Sequence, residues 1–303
     1  MPTTVPPGSI VVALDPDDHS RRALDWASTQ AEVENRPVDV VHALDLSRLP
    51  SAAWLGATGD ALPLAERLRL EARTAVGDAV AQAHLDHPAV ELRSHVLEDA
   101  APRALTALSQ SAHLLVLGSH GRGPVVSRIL GSVSAAVSRR TRCPTVVVRP
   151  PHDDPAPTGG AGVVVGVDGS PDSRPVVEFA FHQASLRGMP LTVVHAVSDV
   201  LAAYAGDALH PLPEDPDLAP LLLAESVAGM AEKYPDVVVT RRLERGLLDQ
   251  VLDRRHEPWD LVVVGRARHG AWHRLVLGST TTAVLEHATT PVAVVPEAST
   301  TGR

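Results

Sequence analysis

The chain of 303 residues is acidic and moderately hydrophobic: 44% of its residues are hydrophobic, 21% are charged, and the formal net charge is −9. This composition is ordinary for a globular protein, and the length predicts about two domains. The acidic charge argues against general nucleic-acid binding, which needs a basic surface, and no apolar run approaches the roughly 20 residues that span a bilayer. The single cysteine, Cys143, excludes an intrachain disulfide and is typical of a reducing compartment, so we expect a cytoplasmic protein.

Short runs of valine and leucine alternate with longer helical patterns along the first half of the chain. The predicted strands lie near 9–14, 38–43, 90–96, 114–118 and 145–148. The predicted helices lie near 20–34, 64–85, 101–110 and 132–140. Strands that are apolar on both faces and alternate with helices indicate a parallel sheet covered on both sides. The second half repeats this order, with strands near 163–167, 191–196, 237–243, 260–265 and 292–295.

The two halves are related by constant offsets along the sequence. Asp15 and Asp168 each follow the first strand of a half, and they are 153 residues apart. Gly118 and Gly265 each end the fourth strand of a half, and they are 147 residues apart. Such fixed offsets at several landmarks indicate a tandem duplication.

The segment between the repeats sets the predicted domain boundaries. Residues 150–160 show no hydrophobic periodicity, and their prolines and glycines cannot join a helix or a central strand. We therefore predict a first domain over 1–150, a linker over 151–161 and a second domain over 162–303.

A glycine motif follows the fourth predicted strand in both halves. In the first half, Gly118-Ser119-His120-Gly121 is followed after nine residues by Gly131-Ser132. In the second half, Gly265-Arg266-Ala267-Arg268 is followed after nine residues by Gly278-Ser279. A strand that ends in glycine and meets the start of a helix can hold phosphate, because glycine allows close approach and backbone N–H groups face the anion. The alternative is that these glycines are plain turn residues.

Asp15 and Asp168 end the first strand of each half, where a ligand crevice is expected if the first and fourth strands are neighbours. A carboxylate there can accept a hydrogen bond from a ribose hydroxyl or take part in binding a metal. Alternatively, each aspartate only caps the helix that follows. His42 and His195 lie among apolar residues of the second strands, which favours a structural role for both.

With these motifs in these positions, the chain resembles the universal stress protein family along almost its whole length, twice over. The resemblance rests on the aspartate after the first strand, Val-His-Ala at the second, the spaced glycine motif, and Cys-Pro-Thr-Val-Val-Val at the fifth. It implies two tandem doubly wound α/β domains, each a five-stranded parallel sheet in the order 3-2-1-4-5 with helices on both faces. It also implies an ATP-binding regulator of the stress response, with Mg²⁺ as an accompanying ion and no metal site made of side chains.

Carried over to this chain, the resemblance implies one adenosine and phosphate site in each half and no catalytic residue. The first site would be formed by Ala13, Leu14, Asp15, Ala43, Leu117, Gly118, His120, Gly121, Gly131, Ser132, Val133 and Ser134. The second site would be formed by Gly166, Val167, Asp168, Ala196, Val264, Gly265, Arg268, Gly278, Ser279 and Thr280.

The two predicted sites depart from the family pattern in different ways. Asp15 is followed by Pro16, Asp17 and Asp18 where the family prefers Gly-Ser, and the added carboxylates could repel phosphate. Arg268 replaces the second glycine, where it either blocks the close approach of the backbone or substitutes a bidentate guanidinium contact. We therefore expect two unequal sites.

Three functions from different classes fit these motifs. A nucleotide-binding regulator is favoured, because no nucleophile, base and orienting group accompany either glycine motif. A slow ATPase or phosphotransferase is the first alternative, although no lysine stands near the glycines as it does in a P-loop. A nucleotide-free interaction protein is the second alternative. We also expect the short fifth strands to pair the halves within one chain, with a homodimer and an unknown protein partner as further expectations.

Overall fold

The chain forms two compact units, Met1–Val148 (unit 1) and Arg149–Arg303 (unit 2). The computed structural model describes residues 5–15, 18–48, 61–119, 130–149, 160–197, 218–254, 257–266 and 280–297. Most of the predicted linker, 151–159, lies outside these residues. Each unit is an α/β domain with a parallel sheet, as the alternation of strands and helices predicted.

In the part of unit 1 that the structure describes there are five parallel strands and four α-helices. The strands are β1 (Ile10–Ala13), β2 (Val38–Ala43), β3 (Leu92–Leu97), β4 (Leu114–Gly118) and β5 (Thr145–Val148). The helices are α1 (Asp18–Glu34), α2 (Ala61–Asp86), α3 (Ala101–Leu108) and α4 (Ser132–Ser138). The strand order β3-β2-β1-β4-β5 is the predicted order 3-2-1-4-5.

The register of the central strands brings two predicted site segments together. Ala13, the last residue of β1, pairs with Val41 in β2 and with Leu117 in β4. Because parallel strands end at the same edge of a sheet, Asp15 after β1 and Gly118 at the end of β4 lie at one edge. The predicted proximity of the first and fourth strands is confirmed.

Strands β1, β4 and β5 of unit 1 are almost wholly buried, as their apolar runs predicted. Val11, Leu115 and Val116 have no exposed surface. Residues of α3 and α4 pack with these strands in a cluster that includes Val137 and Cys143. Burial raises the pKa of the Cys143 thiol to about 12, so the thiol stays protonated and packs as an apolar group.

Unit 2 repeats the architecture of unit 1. Its strands are β6 (Val163–Val167), β7 (Leu191–Val197), β8 (Val239–Arg245), β9 (Leu261–Arg266) and β10 (Val292–Pro296). Its described helices are α5 (Arg174–Arg187), α6 (Leu218–Ser226), α7 (Met230–Lys233), α8 (Leu248–Arg254) and α9 (Thr280–His287). The strand order β8-β7-β6-β9-β10 is again 3-2-1-4-5. In neither unit is a described helix both long enough and apolar enough to span a membrane.

The predicted bounds agree with the observed ones to within two residues for the strands and three for the helices. The largest difference is at the start of α2, which begins at Ala61 although the pattern predicted a start after Pro63. Proline is accepted there because the first N–H groups of a helix have no acceptor within it, so the missing donor costs nothing.

His87, which directly follows α2, connects the end of that helix to α1 through two side-chain contacts. The side chain of His87 is 12% exposed, with Nε2 at 3.1 Å from Oδ1 of Asp25 and Nδ1 at 2.9 Å from Oε1 of Glu32. Burial of the ring lowers the pKa of His87, but the hydrogen bonds to Asp25 and Glu32 outweigh it and raise the pKa above its ordinary 6.5. The protonated ring donates to both carboxylates, so the contact is strongest when His87 is charged.

We expect the free energy of unfolding of unit 1 to fall as the pH rises above 6.5, the ordinary pKa of histidine. A raised pKa contributes stability that is complete below the ordinary value and is lost as the pH passes the raised one. His87→Gln should remove this dependence and lower the stability in mild acid by about 0.5–1 kcal/mol, as expected for a solvent-screened ion pair. Urea unfolding of the full chain over a series of pH values measures both effects.

His84→Gln is the matched control, because His84 lies exposed in the last turn of α2, just before His87. It should leave the pH profile of the wild type unchanged. If wild type and His87→Gln lost stability equally as the pH rises, the assignment to His87 would be wrong.

Candidate functional site

A cavity of about 450 Å³ opens at the carboxyl edge of the sheet in unit 1. It is bordered by the ends of β1, β2 and β4 and by the starts of α3 and α4. The predicted residues that line it are Ala13, Leu14, Asp15, Ala43, Leu117, Gly118, Gly131, Ser132, Val133 and Ser134. The predicted His120 and Gly121 lie outside the described residues.

Sequence reasoning missed a further set of lining residues: Ser20, Val41, His42, Ala101, Leu105 and Leu130. Ala101 and Leu105 belong to α3, and their spacing of four residues puts them on one face of that helix. The sequence alone could therefore have shown that Ala101 and Leu105 share one face of a helix. Which strands that face covers depends on how the helix packs in the folded unit.

His42 fixes the backbone at the end of β1. Its Nδ1 lies 2.8 Å from the carbonyl oxygen of Leu14, and because a carbonyl only accepts, Nδ1 carries the proton. His195 makes the same contact in unit 2, with 2.9 Å between Nδ1 and the carbonyl oxygen of Val167. The predicted structural role of the two histidines thus has a specific form, since each ring holds the backbone that leads into the aspartate after the first strand.

Asp15 lies beside the cavity with its side chain exposed. Its backbone N–H donates to Oγ of Ser20 at 3.0 Å, and Ser20 is buried in α1. In unit 2, the carboxylate of Asp168 accepts from the N–H of Ser170 at 2.9 Å. That bond runs two residues along the chain, so it forms a local turn before α5 and does not cap the helix.

The start of α4 presents backbone donors to the cavity. Gly131 precedes the helix with an extended backbone, and no side chain caps the first turn. The first intrahelical bond runs from the N–H of Ala135 to the carbonyl oxygen of Gly131. The N–H groups of residues 132–134 therefore have no acceptor within the helix. These amides and the exposed Ser132 are the groups that an anion in the cavity would meet.

The hydroxyl of Ser134 is used within the protein. It donates to the carbonyl oxygen of Gly118 at 3.0 Å, and Ser134 is buried. The resemblance implied that Ser134 helps to form the first site, and in the structure its hydroxyl connects α4 to the end of β4. Thr281 makes the same bond in unit 2, to the carbonyl oxygen of Gly265 at 2.8 Å. Sequence reasoning named the neighbouring Thr280, although Thr281 lies at the offset of 147 residues from Ser134.

The predicted residues of the second site that the structure describes lie at the corresponding edge of unit 2. They are Gly166 and Val167 in β6, Asp168 after it, Ala196 in β7, Val264 and Gly265 in β9, and Thr280 at the start of α9. The predicted Arg268, Gly278 and Ser279 lie outside the described residues.

The charge around the unit 1 cavity comes from Asp15, the one carboxylate among its described lining residues. A negative charge disfavours an anion, so attraction for phosphate would have to come from the backbone amides at the start of α4. Within the described ranges, no group of three or more His, Cys, Asp or Glu side chains could hold a metal ion.

Comparisons with known proteins agree on one family. The sequence profile of the universal stress protein family matches residues 8–149 and again 162–296. A universal stress protein of Mycobacterium tuberculosis is 34% identical over 96% of this chain and 97% of its own length, and one of Mycolicibacterium smegmatis is 31% identical over 94% and 96%. The fold is similar to the crystal structure of a universal stress protein from Archaeoglobus fulgidus, with a TM-score of 0.63, 19% identity, and coverage of 95% of this chain and 98% of that one.

We expect Ser134→Ala to lower the free energy of unfolding by about 1 kcal/mol, because the carbonyl of Gly118 loses its donor at a part-buried strand end. Ser134→Thr should stay close to wild type, since Thr281 makes the same bond in unit 2. Urea unfolding of the full chain measures the difference.

Ser132→Ala is the matched control, because it brings the same gain in helix propensity at an exposed position two residues earlier. Equal stability of Ser132→Ala and Ser134→Ala would show that the bond to Gly118 contributes nothing.

Proposed function

Because the chain belongs to the universal stress protein family, we propose that it binds ATP in the cavity of unit 1 and acts as a nucleotide-dependent regulator. The observation that carries this proposal is the cavity at the carboxyl edge of the sheet. Ligands of open α/β sheets bind at this edge. The cavity volume of about 450 Å³ is within the range of small-molecule sites.

The apolar part of the cavity suits the adenine base. Ala13, Ala43 and Leu117 line it from the strands, and Ala101 and Leu105 line it from α3. Apolar walls favour a flat base because its faces are removed from water. The backbone groups at the strand ends can supply the few polar contacts that orient a ligand in such a site.

The opposite part of the cavity suits the phosphates. Residues 131–134 border it, and the backbone N–H groups of the first turn of α4 can donate to phosphate oxygens. Gly131 has no side chain to hinder this approach. We propose that the carboxylate of Asp15 accepts from the ribose hydroxyls, away from the phosphate charge. Mg²⁺ would then be held largely through the phosphates, as is usual where few protein carboxylates are present.

We propose that ATP is retained and not rapidly hydrolysed. His42 already donates its Nδ1 proton to Leu14, and Ser134 already donates its hydroxyl proton to Gly118. Two proton-bearing side chains beside the cavity are therefore committed to backbone carbonyls. A protein partner that binds the ATP-bound conformation of the chain more tightly than the ATP-free one would then respond to the presence of ATP. Phosphate release beyond a few turnovers per hour that is abolished by changing His120 or Asp15 would favour the slow ATPase alternative instead.

We expect the full chain to bind ATP at micromolar concentrations and Asp15→Ala to weaken binding by about tenfold. The loss of one hydrogen bond to a charged group removes about 1.5 kcal/mol, which corresponds to this factor. Isothermal titration calorimetry measures both dissociation constants.

Asp78→Ala is the control for net charge, because Asp78 is exposed on α2 and is not among the residues that line the cavity. It should bind ATP like the wild type. A folded wild-type chain that takes up no ATP even at millimolar nucleotide would refute the proposed function.

A further inference from the structure

The two units differ where the helix after the third strand meets the end of the first strand. In unit 1, Ala13 ends β1 and Ala101 begins α3, and both line the cavity. In unit 2, the counterparts are Gly166 and Leu248, at the offsets of 153 and 147 residues that relate the two repeats. A pair of alanines in one unit thus corresponds to a glycine and a leucine in the other.

Leu248 reaches from α8 to the sheet. Its side chain is buried, and a methyl group on Gly166 would lie 2.3 Å from its Cδ2 and 3.3 Å from its Cδ1. Carbon atoms in contact are normally about 3.5–4 Å apart, so a side chain at position 166 would require Leu248 to move away from the strand. The leucine therefore fills the space beside the strand end that remains open next to Ala13 in unit 1.

The surrounding backbone is held in the same way in both units. In unit 2, His195 contacts the carbonyl of Val167, and Thr281 contacts the carbonyl of Gly265, as their counterparts do in unit 1. The difference at this point is therefore one of side-chain size. Because protein interiors are close-packed, a flat base cannot enter a space that a buried side chain already fills.

We infer that Leu248 excludes the adenine base from unit 2, so that the chain binds one ATP, in unit 1. This inference rests on the proposed function and adds which unit binds and which residue decides it. The sequence offered Arg268, at the phosphate end of the second site, as the cause of unequal sites. The contact between Leu248 and Gly166 assigns the cause to the base end.

The number of ATP molecules bound per chain tests the inference. Isothermal titration of the full wild-type chain with ATP should give one site. The double variant Gly166→Ala/Leu248→Ala transfers the unit 1 pair to unit 2 and should give two sites. The reverse transfer, Ala13→Gly/Ala101→Leu, should abolish binding.

Two control variants separate this effect from its alternatives. Leu223→Ala removes a buried leucine of unit 2 from α6, so it loosens the same unit without opening the space at Gly166, and it should keep one site. Arg268→Gly restores the glycine of the family pattern and should also keep one site. Circular dichroism and urea unfolding check that each variant is folded. If Ala13→Gly/Ala101→Leu does not fold, the number of ATP sites in Gly166→Ala/Leu248→Ala tests the inference by itself.

Each other outcome has a distinct meaning. Two sites in the wild type overturn the inference and leave ATP binding intact. A single site in Gly166→Ala/Leu248→Ala also overturns it, because removal of the leucine then admits nothing. A second site in Arg268→Gly assigns the exclusion to the arginine and overturns the role of Leu248. No binding by any variant overturns the inference together with the proposed function.

Discussion

Two backbone carbonyls at the carboxyl edge of each sheet accept side-chain hydrogen bonds, and the shape of the site depends on both. In unit 1, His42 donates to the carbonyl of Leu14 and Ser134 donates to that of Gly118. Polar backbone groups removed from water need such partners. Because these carbonyls are satisfied within the protein, the groups that line the cavity include apolar side chains, the carboxylate of Asp15 and the N–H groups at the start of α4. That polarity suits a ligand with an apolar base and an anionic tail.

Unit 2 preserves this frame of hydrogen bonds, which holds the strand ends and the start of the helix, with different side chains around it. Thr281 replaces Ser134 as the hydroxyl donor, and His195 repeats the contact of the first histidine. The duplication has therefore kept the hydrogen bonds that position the strand ends and the helix start. The volume enclosed by that frame was free to diverge, because a core tolerates hydrophobic exchanges that preserve its packing.

The frame could be predicted from sequence because it follows from local patterns. Apolar runs of four to seven residues become buried parallel strands, and fixed offsets reveal the repeat. The roles of the individual side chains at the site could not be predicted in the same way. Ala101 lines the cavity only because of how α3 packs on the sheet, and the hydroxyl of Ser134 is taken by the nearby carbonyl of Gly118. The relation between Gly166 and Leu248 is visible only in their contact, since neither residue is unusual alone.

The contact of Leu248 with Gly166 has a consequence for the packing of the chain as well as for its site. An open cavity gives up the contacts that close packing would provide, so a binding site weakens the domain that contains it. A single domain has to combine an open cavity with a stable core. In a duplicated chain, one unit can keep an open cavity while the other gains packing contacts, as where Leu248 meets Gly166. Specialisation of the two copies then needs no change in the fold, only an exchange of large for small residues at one point.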